Sequence, residues 1–320
     1  MFIDQNVIYK ASVAQAFFQI EAICTENINL TGIIISDSSI STAGLGPFMG
    51  IGIHMTNQDQ SLTVILNDIT MNGITLTNYA EPFGYYEMTV NYLISVKIEG
   101  LSNTRISHMN INSYLANCTN CGGITLFNDD IEINSLKTRG LVMSSPSTYA
   151  LTVVTNSLIL NDLDMQVLVD KRVHKLLDIS QIPSFTSGML QVNAKDLKFQ
   201  TLAVSKPNFT ENIIKIWGDD LNLFLSNSTF LLQSYELLKI DITGQFLIKF
   251  ENITRTGKPT PLLQMTYWRE SNFVRDNFFD FADNSTDGSV FVFRGPKLQT
   301  QMSNLYTQVG GLFSFYWRFN

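Results

Sequence analysis

Charge is in short supply in this chain. Lys, Arg, Asp and Glu make up 15% of its 320 residues, against about 25% in ordinary soluble domains. Glycine and proline do not fill the gap, at 19 and 8 residues; Asn, Ser and Thr do. Basic residues are the scarcer sign, 21 against 28 acidic, giving a net charge of -7 and a pI near 5.0. With no basic stripe to release phosphate counterions, nucleic acid is excluded as a partner. The same lack argues against an anionic membrane surface. Long apolar runs are missing too. None approaches the ~20 residues that span a bilayer, so no transmembrane segment is read. The opening stretch, with Asp4 and no basic region before an apolar one, does not read as a signal peptide. Both ends are abrupt, and the last residues alternate apolar and polar like a strand and then stop, which predicts a segment of a longer chain.

Cysteine is almost absent. Cys24, Cys118 and Cys121 are too few for a disulfide scaffold. Cys118 and Cys121 form a lone C-x-x-C. Zinc would need a second ligand pair, which His54, His108 and His174 do not supply by spacing. A thioredoxin-like role would need a strand leading into a helix. Two readings stay open: a local disulfide across a turn, or two unpaired thiols.

Apolar residues, at 45%, are plentiful. They repeat. Met189-Leu190-Gln191-Val192 aligns with Ile213-Ile214-Lys215-Ile216, then Leu237-Leu238-Lys239-Ile240 and Leu262-Leu263-Gln264-Met265. Val290-Phe291-Val292-Phe293 and Leu312-Phe313-Ser314-Phe315 complete the set. Taking Leu190, Ile214, Leu238, Leu263, Phe291 and Phe313 as anchors, the spacings are 24, 24, 25, 28 and 22 residues. A second strand follows inside the repeat at Leu197–Phe199, Leu221–Leu223 and Phe246–Ile248, after turn formers such as Asp196 and Gly218-Asp219-Asp220. Looser versions occur earlier, where Ile94–Ile98 leads into Ile106–Ile111, Ile124–Leu126 into Ile131–Ile133, and Leu151–Val153 into Leu158–Leu160. Alternation at period two puts one face in and one out.

A β-sandwich shows short alternating strands but no fixed interval. A leucine-rich repeat needs a signature that is absent. A parallel β-helix stacks turns of this length, each strand pairing with its equivalent one turn on. Its crossovers are expected to be right-handed. The predicted fold is therefore all-β: a right-handed parallel β-helix solenoid of about ten turns, with roughly 24 residues each and about 50 Å in length at ~4.8 Å per turn. It reads as one domain over residues 1–320, irregular over 1–60. Loops are expected at 79–90 and 163–188, the latter holding an extra strand or a short helix.

On this pattern the chain resembles the pectin-lyase-like right-handed β-helix superfamily over roughly residues 20–319. Its Asn-, Ile- and Phe-rich wording also resembles the large β-helix surface proteins of ciliates and other protists. The first resemblance implies enzymes, tailspikes, adhesins or surface proteins, so fold does not choose among them. The superfamily's hydrolases carry Gly-His-Gly and Arg-x-Lys elements, and neither is present. Glycoside hydrolysis needs two carboxylates flanking the sugar bond. The Asp-Asp pairs, Asp129-Asp130 and Asp219-Asp220, are expected in tight turns about four turns apart. His108 is expected to face outward between apolar residues. The lyase branch implies a calcium-binding Asp cluster with a nearby base. Asp280, Asp283 and Asp287 follow Arg269 and Arg275 but fit no calcium loop and read as solvated turn acids. No nucleotide loop, serine-hydrolase elbow or H-E-x-x-H is present. No catalytic residue, metal or cofactor is assigned.

Six N-x-[ST] sequons occur, at Asn29, Asn117, Asn208, Asn227, Asn252 and Asn284. With 28 Asn in the chain, about five would arise by chance. Their placement is more informative than their number. Asn227 and Asn252 should stack on adjacent turns, and N-linked glycans would then line the rod in one or two stripes. Phe83-Gly84-Tyr85-Tyr86, Trp217, Trp268 and Tyr316-Trp317 are candidates for sugar stacking or protein contact. Residues 312–319 read as an open sheet edge, where the solenoid would continue in the parent chain or meet another copy. The expected function is an extracellular structural β-helix in a cell-surface or filamentous assembly. The alternatives are a carbohydrate-binding adhesin or tailspike-like module, and a polysaccharide lyase or hydrolase.

Overall fold

The computed structural model describes residues 2–3, 9–11, 15–23, 27–37, 39–42, 48–56, 62–78, 91–100, 102–112, 115–117, 121–143, 149–169, 175–183, 188–203, 212–232, 236–242, 246–257, 263–267, 277–283, 291–294, 300–306 and 313–316, with side-chain surroundings described only between residues 27 and 253. Every element among them is a strand. The strands form two sheets, one of eleven and one of eighteen. From Gln15–Ile23 onward the chain visits the sheets alternately. It lays down one strand of the eleven-strand sheet, crosses to the other sheet, and returns beside its last position. All neighbours along the eleven-strand sheet run parallel. The molecule is thus all-β with long parallel sheets, compatible with a parallel β-helix.

The registers identify the equivalent residues. Along the eleven-strand sheet these are Phe18, Ile51, Ile94, Ile124, Leu151, Leu177, Ile214, Leu238, Leu263, Phe291 and Phe313. From Ile214 to Phe313 this is the repeat read from the sequence. Before Ile214 the sequence alignment is corrected. The partner of Ile214 is Leu177, whereas Leu190 lies in the other sheet against Leu221. The expected loop over 163–188 contains the end of strand Ser157–Val169 and the whole of Lys175–Gln181. The second supplies the missing member. The expected loop at 79–90 lies outside the described residues.

Side-chain alternation fixes the core. Ile51, Ile94, Leu151, Leu177 and Leu238 are all at most 1% exposed, and so are Val64, Ile106, Ile133 and Leu160 from the opposite sheet. Each turn contributes a few apolar side chains, and stacking makes one continuous apolar column. The buried rings of Phe199 and Phe230 meet edge-on at 5.6 Å, in facing positions of adjacent strands.

The larger sheet is bent rather than flat. Gly32, Asp68, His108, Ser135, Asp162, Asp196 and Asn227 all have φ between 48° and 69°. The flanking registers place them one above another. One left-handed residue turns the strand through a corner, and the ladder continues around it. Asp68 N donates to Ser107 O at 3.2 Å, and Asn110 N to Ile69 O at 2.8 Å. Only one of these seven corner residues is glycine. Asp and Asn tolerate this backbone best among the rest.

Candidate functional site

The outward positions carry what chemistry there is, and the polar groups that turn inward are used by the fold itself. At the first corner after the eleven-strand sheet, Asn128 is fully buried. Its Oδ1 accepts from Ser102 Oγ and from Asp129 N at 2.8 Å, while its Nδ2 donates to Thr104 Oγ1 at 2.6 Å. One turn on, buried Thr155 donates to Asp129 O at 2.6 Å and accepts from Ser157 N at 3.2 Å. Gln181 follows, donating through Nε2 to Gly188 O at 2.6 Å and accepting at Oε1 from Asp219 N at 2.8 Å. Each buried amide or hydroxyl ties one turn to the next, so these are structural groups.

Outward amides also stack. Asn112 Nδ2 donates to Asn72 Oδ1 at 2.9 Å, and Asn161 Nδ2 to Asn134 Oδ1 at 2.8 Å. On the same outer surface, past the left-handed corner, a charged patch gathers on adjacent turns. Arg139 grips Asp164 with both guanidinium nitrogens, Nη1 to Oδ1 at 2.8 Å and Nη2 to Oδ2. The Arg139 hydrogen bonds hold the Asp164 carboxyl below its ordinary range, with Lys198 and Lys137 adding in the same direction. Asp164 is therefore a committed anion and unsuited to carry a proton.

Asp129 differs. Burial, and then the neighbouring Asp130 charge, push its carboxyl above the ordinary range. In each Asp-Asp pair the first, Asp129 or Asp219, lies in the bend before a strand of the larger sheet, and the second opens that strand, Asp130–Met143 or Asp220–Leu232, rather than lying in the turn. The registers set them three strands apart along the eleven-strand sheet, in place of the expected four turns. That distance keeps them from flanking one sugar bond. His108 is exposed as expected. Its Nδ1 lies 3.3 Å from Asn67 Oδ1 and 3.7 Å from Asp68 Oδ1, a surface arrangement. Among the described residues no three His, Cys, Asp or Glu side chains gather in a way that could hold a metal ion.

Asp280 and Asp283 fall in strand Asn277–Asp283 rather than in a turn. Asp287, Arg269 and Arg275 lie outside the described residues. Of the sequons, Asn29 is exposed and accepts from Thr31 Oγ1 at 2.9 Å. Asn227 is exposed at the left-handed corner. The pairs Ser226 with Glu251 and Ser228 with Ile253 put Asn252 opposite Asn227, which is the adjacent stacking expected. Asn117 ends strand Leu115–Asn117. Asn208 and Asn284 lie outside the described residues, as do Cys24, Cys118, Trp268, Trp317 and Phe83 to Tyr86. Cys121 opens strand Cys121–Phe127.

Trp217 projects from the outer face of the eleven-strand sheet, 42% exposed. Facing it on the next strand is Asp241, which the sequence reading did not single out. Trp217 and Asp241 each stand three residues after their anchors Ile214 and Leu238, so the repeat already carried this pairing. No helix among the described residues is long and apolar enough to cross a membrane. No protein-family model, curated protein or solved structure matches the chain.

Proposed function

We propose that the chain is a right-handed β-helix rod of about ten turns, allied to the pectin-lyase-like superfamily, that serves as a structural part of an extracellular surface or filamentous assembly. The observation that carries this reading is the parallel ladder of the eleven-strand sheet. Its outermost described strands, Gln15–Ile23 and Phe313–Tyr316, each pair on one side only among the described residues. A parallel edge of this kind offers N–H and C=O groups to another strand. That strand would come from more of the same chain or from another copy meeting it head to tail. Right-handedness is the general preference of parallel crossovers. At ~4.8 Å per strand, eleven strands give a rod of roughly 50 Å. N-linked glycans at the six sequons would suit an exposed rod, and the stacked pair Asn227 and Asn252 would begin a stripe along it.

The test is sedimentation velocity with electron microscopy of the purified chain over rising concentration. End-to-end particles in multiples of the single-rod length support the reading. A strictly monomeric particle at every concentration, from a chain whose parent ends with this segment, contradicts it. Mass spectrometry of native material with all six sequon asparagines unmodified would remove the glycan part alone.

A further inference from the structure

The limb of the larger sheet that precedes the left-handed corner turns one face to solvent, and the registers rule that face into files. In its middle file Arg105, Glu132, Ile159, Asn193, Phe224 and Lys249 stand on six successive strands. Asp280 takes the same position on the seventh. The described members are outward by alternation, since the residues on either side of them, such as Leu158 and Leu160 beside Ile159, are buried in the core. Two large apolar groups nevertheless sit among them. Ile159 is 37% exposed, and Phe224 is half-buried, with Lys249 Nζ 5.2 Å from its ring centroid. Apolar groups gathered on one exposed face mark a contact surface, where single scattered ones need no explanation.

The order of the file is complementary to its own reverse. Asn193 is the midpoint. Ile159 and Phe224 stand one strand to either side of it, Glu132 and Lys249 two, Arg105 and Asp280 three, at ~4.8 Å per strand. Apolar mirrors apolar, and each charge mirrors its opposite. In the flanking files Asn161 mirrors Ser226 about Lys195, and Ser157 mirrors Asn222 about Gln191. These are uncharged except Lys195, whose Nζ lies 3.5 Å from Asp196 Oδ2. Two such faces can meet about two kinds of two-fold axis. An axis along the rod would set Arg105 on Arg105 and Glu132 on Glu132, like charge on like. An axis along the strands reverses one rod against the other and brings opposite charges together.

We infer that this face binds a second copy of the chain, side by side and antiparallel, about a two-fold axis at Asn193. The contact is isologous, each pairing occurring twice. Ile159 of each copy packs on Phe224 of the other, and Glu132 meets Lys249. Arg105 comes level with Asp280. The pairs within one chain, Arg105 Nε to Glu132 Oε2 at 3.5 Å and Lys249 Nζ to Glu251 Oε2 at 3.6 Å, can persist, because a carboxylate accepts from several donors and an ammonium has three to give. The charges fix register and orientation more than affinity. Six strand spacings by five residues make a face of roughly 29 Å by 16 Å, on the order of 500 Å² per copy. That is below the ~800 Å² per partner of a standard interface, so the dimer is a reversible one. It uses the flank of the rod and is independent of association through the ends.

The test is sedimentation equilibrium of the full chain and its charge variants, with X-ray scattering to give particle shape. The parent should form a dimer with the length of one rod and twice its width. Glu132→Lys and Lys249→Glu should each raise the dissociation constant tenfold or more, since both copies of the contact then join like charges. Mixing the two variants, or combining them in one chain, should restore the dimer, because every contact again joins opposite charges. Lys137→Glu, the same charge change on the limb beyond the corner, should leave it unaltered. Should one single variant lose its β-sheet circular dichroism, the other single variant and the combined one decide. A parent with no side-by-side dimer at up to about 1 mM, single variants that dimerise undiminished, or a mixture that fails to restore the dimer overturns the inference. End-to-end particles grow in multiples of the rod length and are indifferent to these charges, so failure of the lateral contact and failure of the rod reading are told apart.

Discussion

At the scale of single residues, the corners decide more than their composition suggests. Asn128 satisfies three neighbours at once. Replacing it with leucine would leave buried groups unpaired at about 1–3 kcal/mol each. Chemical denaturation of Asn128→Leu should therefore show a loss of at least about 2 kcal/mol. Ser135 makes the opposite case. It holds a left-handed backbone at φ 60° with no special tolerance for it. Ser135→Asn should stabilise the chain by up to about 1 kcal/mol. A β-branched valine there should destabilise it. In the core, Phe230→Ala removes one of two interlocked rings and should cost about 3–5 kcal/mol. The left-handed file was not legible in the sequence because only Gly32 among its seven members is glycine. Asp, His, Ser and Asn at those positions read as ordinary polar turn residues. Asp241 was missed for a related reason. An outward Asp in a strand looks solvated until the neighbouring strand's Trp217 is placed beside it.

At the scale of strands, alternation was legible and equivalence was not. Ile214, Leu238, Leu263, Phe291 and Phe313 fall at near-constant spacing because the intervening segments vary little in length. Between Leu177 and Ile214 the interval is 37 residues, and Leu190 falls in the gap. It sits in an identical apolar–apolar–polar–apolar phrase, but in the opposite sheet. Both sheets bury one face against the same core, so their strands are written alike, and only pairing tells them apart. Cross-strand charge pairs act at this scale too. Because the folded Asp164 carboxyl sits below its ordinary range, its contribution is fully present above the unfolded value of about 3.9. It is lost as pH falls through the lower, folded value. Arg139 is 46% exposed and Asp164 24%, so solvent screens the pair. Arg139→Ala should cost under about 1 kcal/mol at neutral pH and should flatten the stability profile on the acid side. A pH series of denaturation midpoints checks both. Asp129 opposes this trend, since its raised carboxyl favours the folded state as pH falls through its own range.

At the scale of the whole molecule, one geometric idea organises the rest. Stacked parallel turns make the core continuous, line outward residues into files, and bring residues far apart in sequence together across one strand spacing. The corners, the Arg139–Asp164 clasp and the Trp217–Asp241 pair all depend on that register. It is tested most directly by disulfide trapping between adjacent turns, in a background with Cys24, Cys118 and Cys121 replaced by serine. Asp178 and Lys215 face each other on neighbouring strands, within the Cα separation of about 4.4–6.8 Å that a disulfide requires. The variant Asp178→Cys with Lys215→Cys should oxidise rapidly to an intramolecular crosslink in the native state. The variant Gln191→Cys with Lys215→Cys, which the simple 24-residue repeat would pair, should remain reduced. Crosslinking of the second pair and not the first would contradict the stacked register and, with it, the sites built on that register.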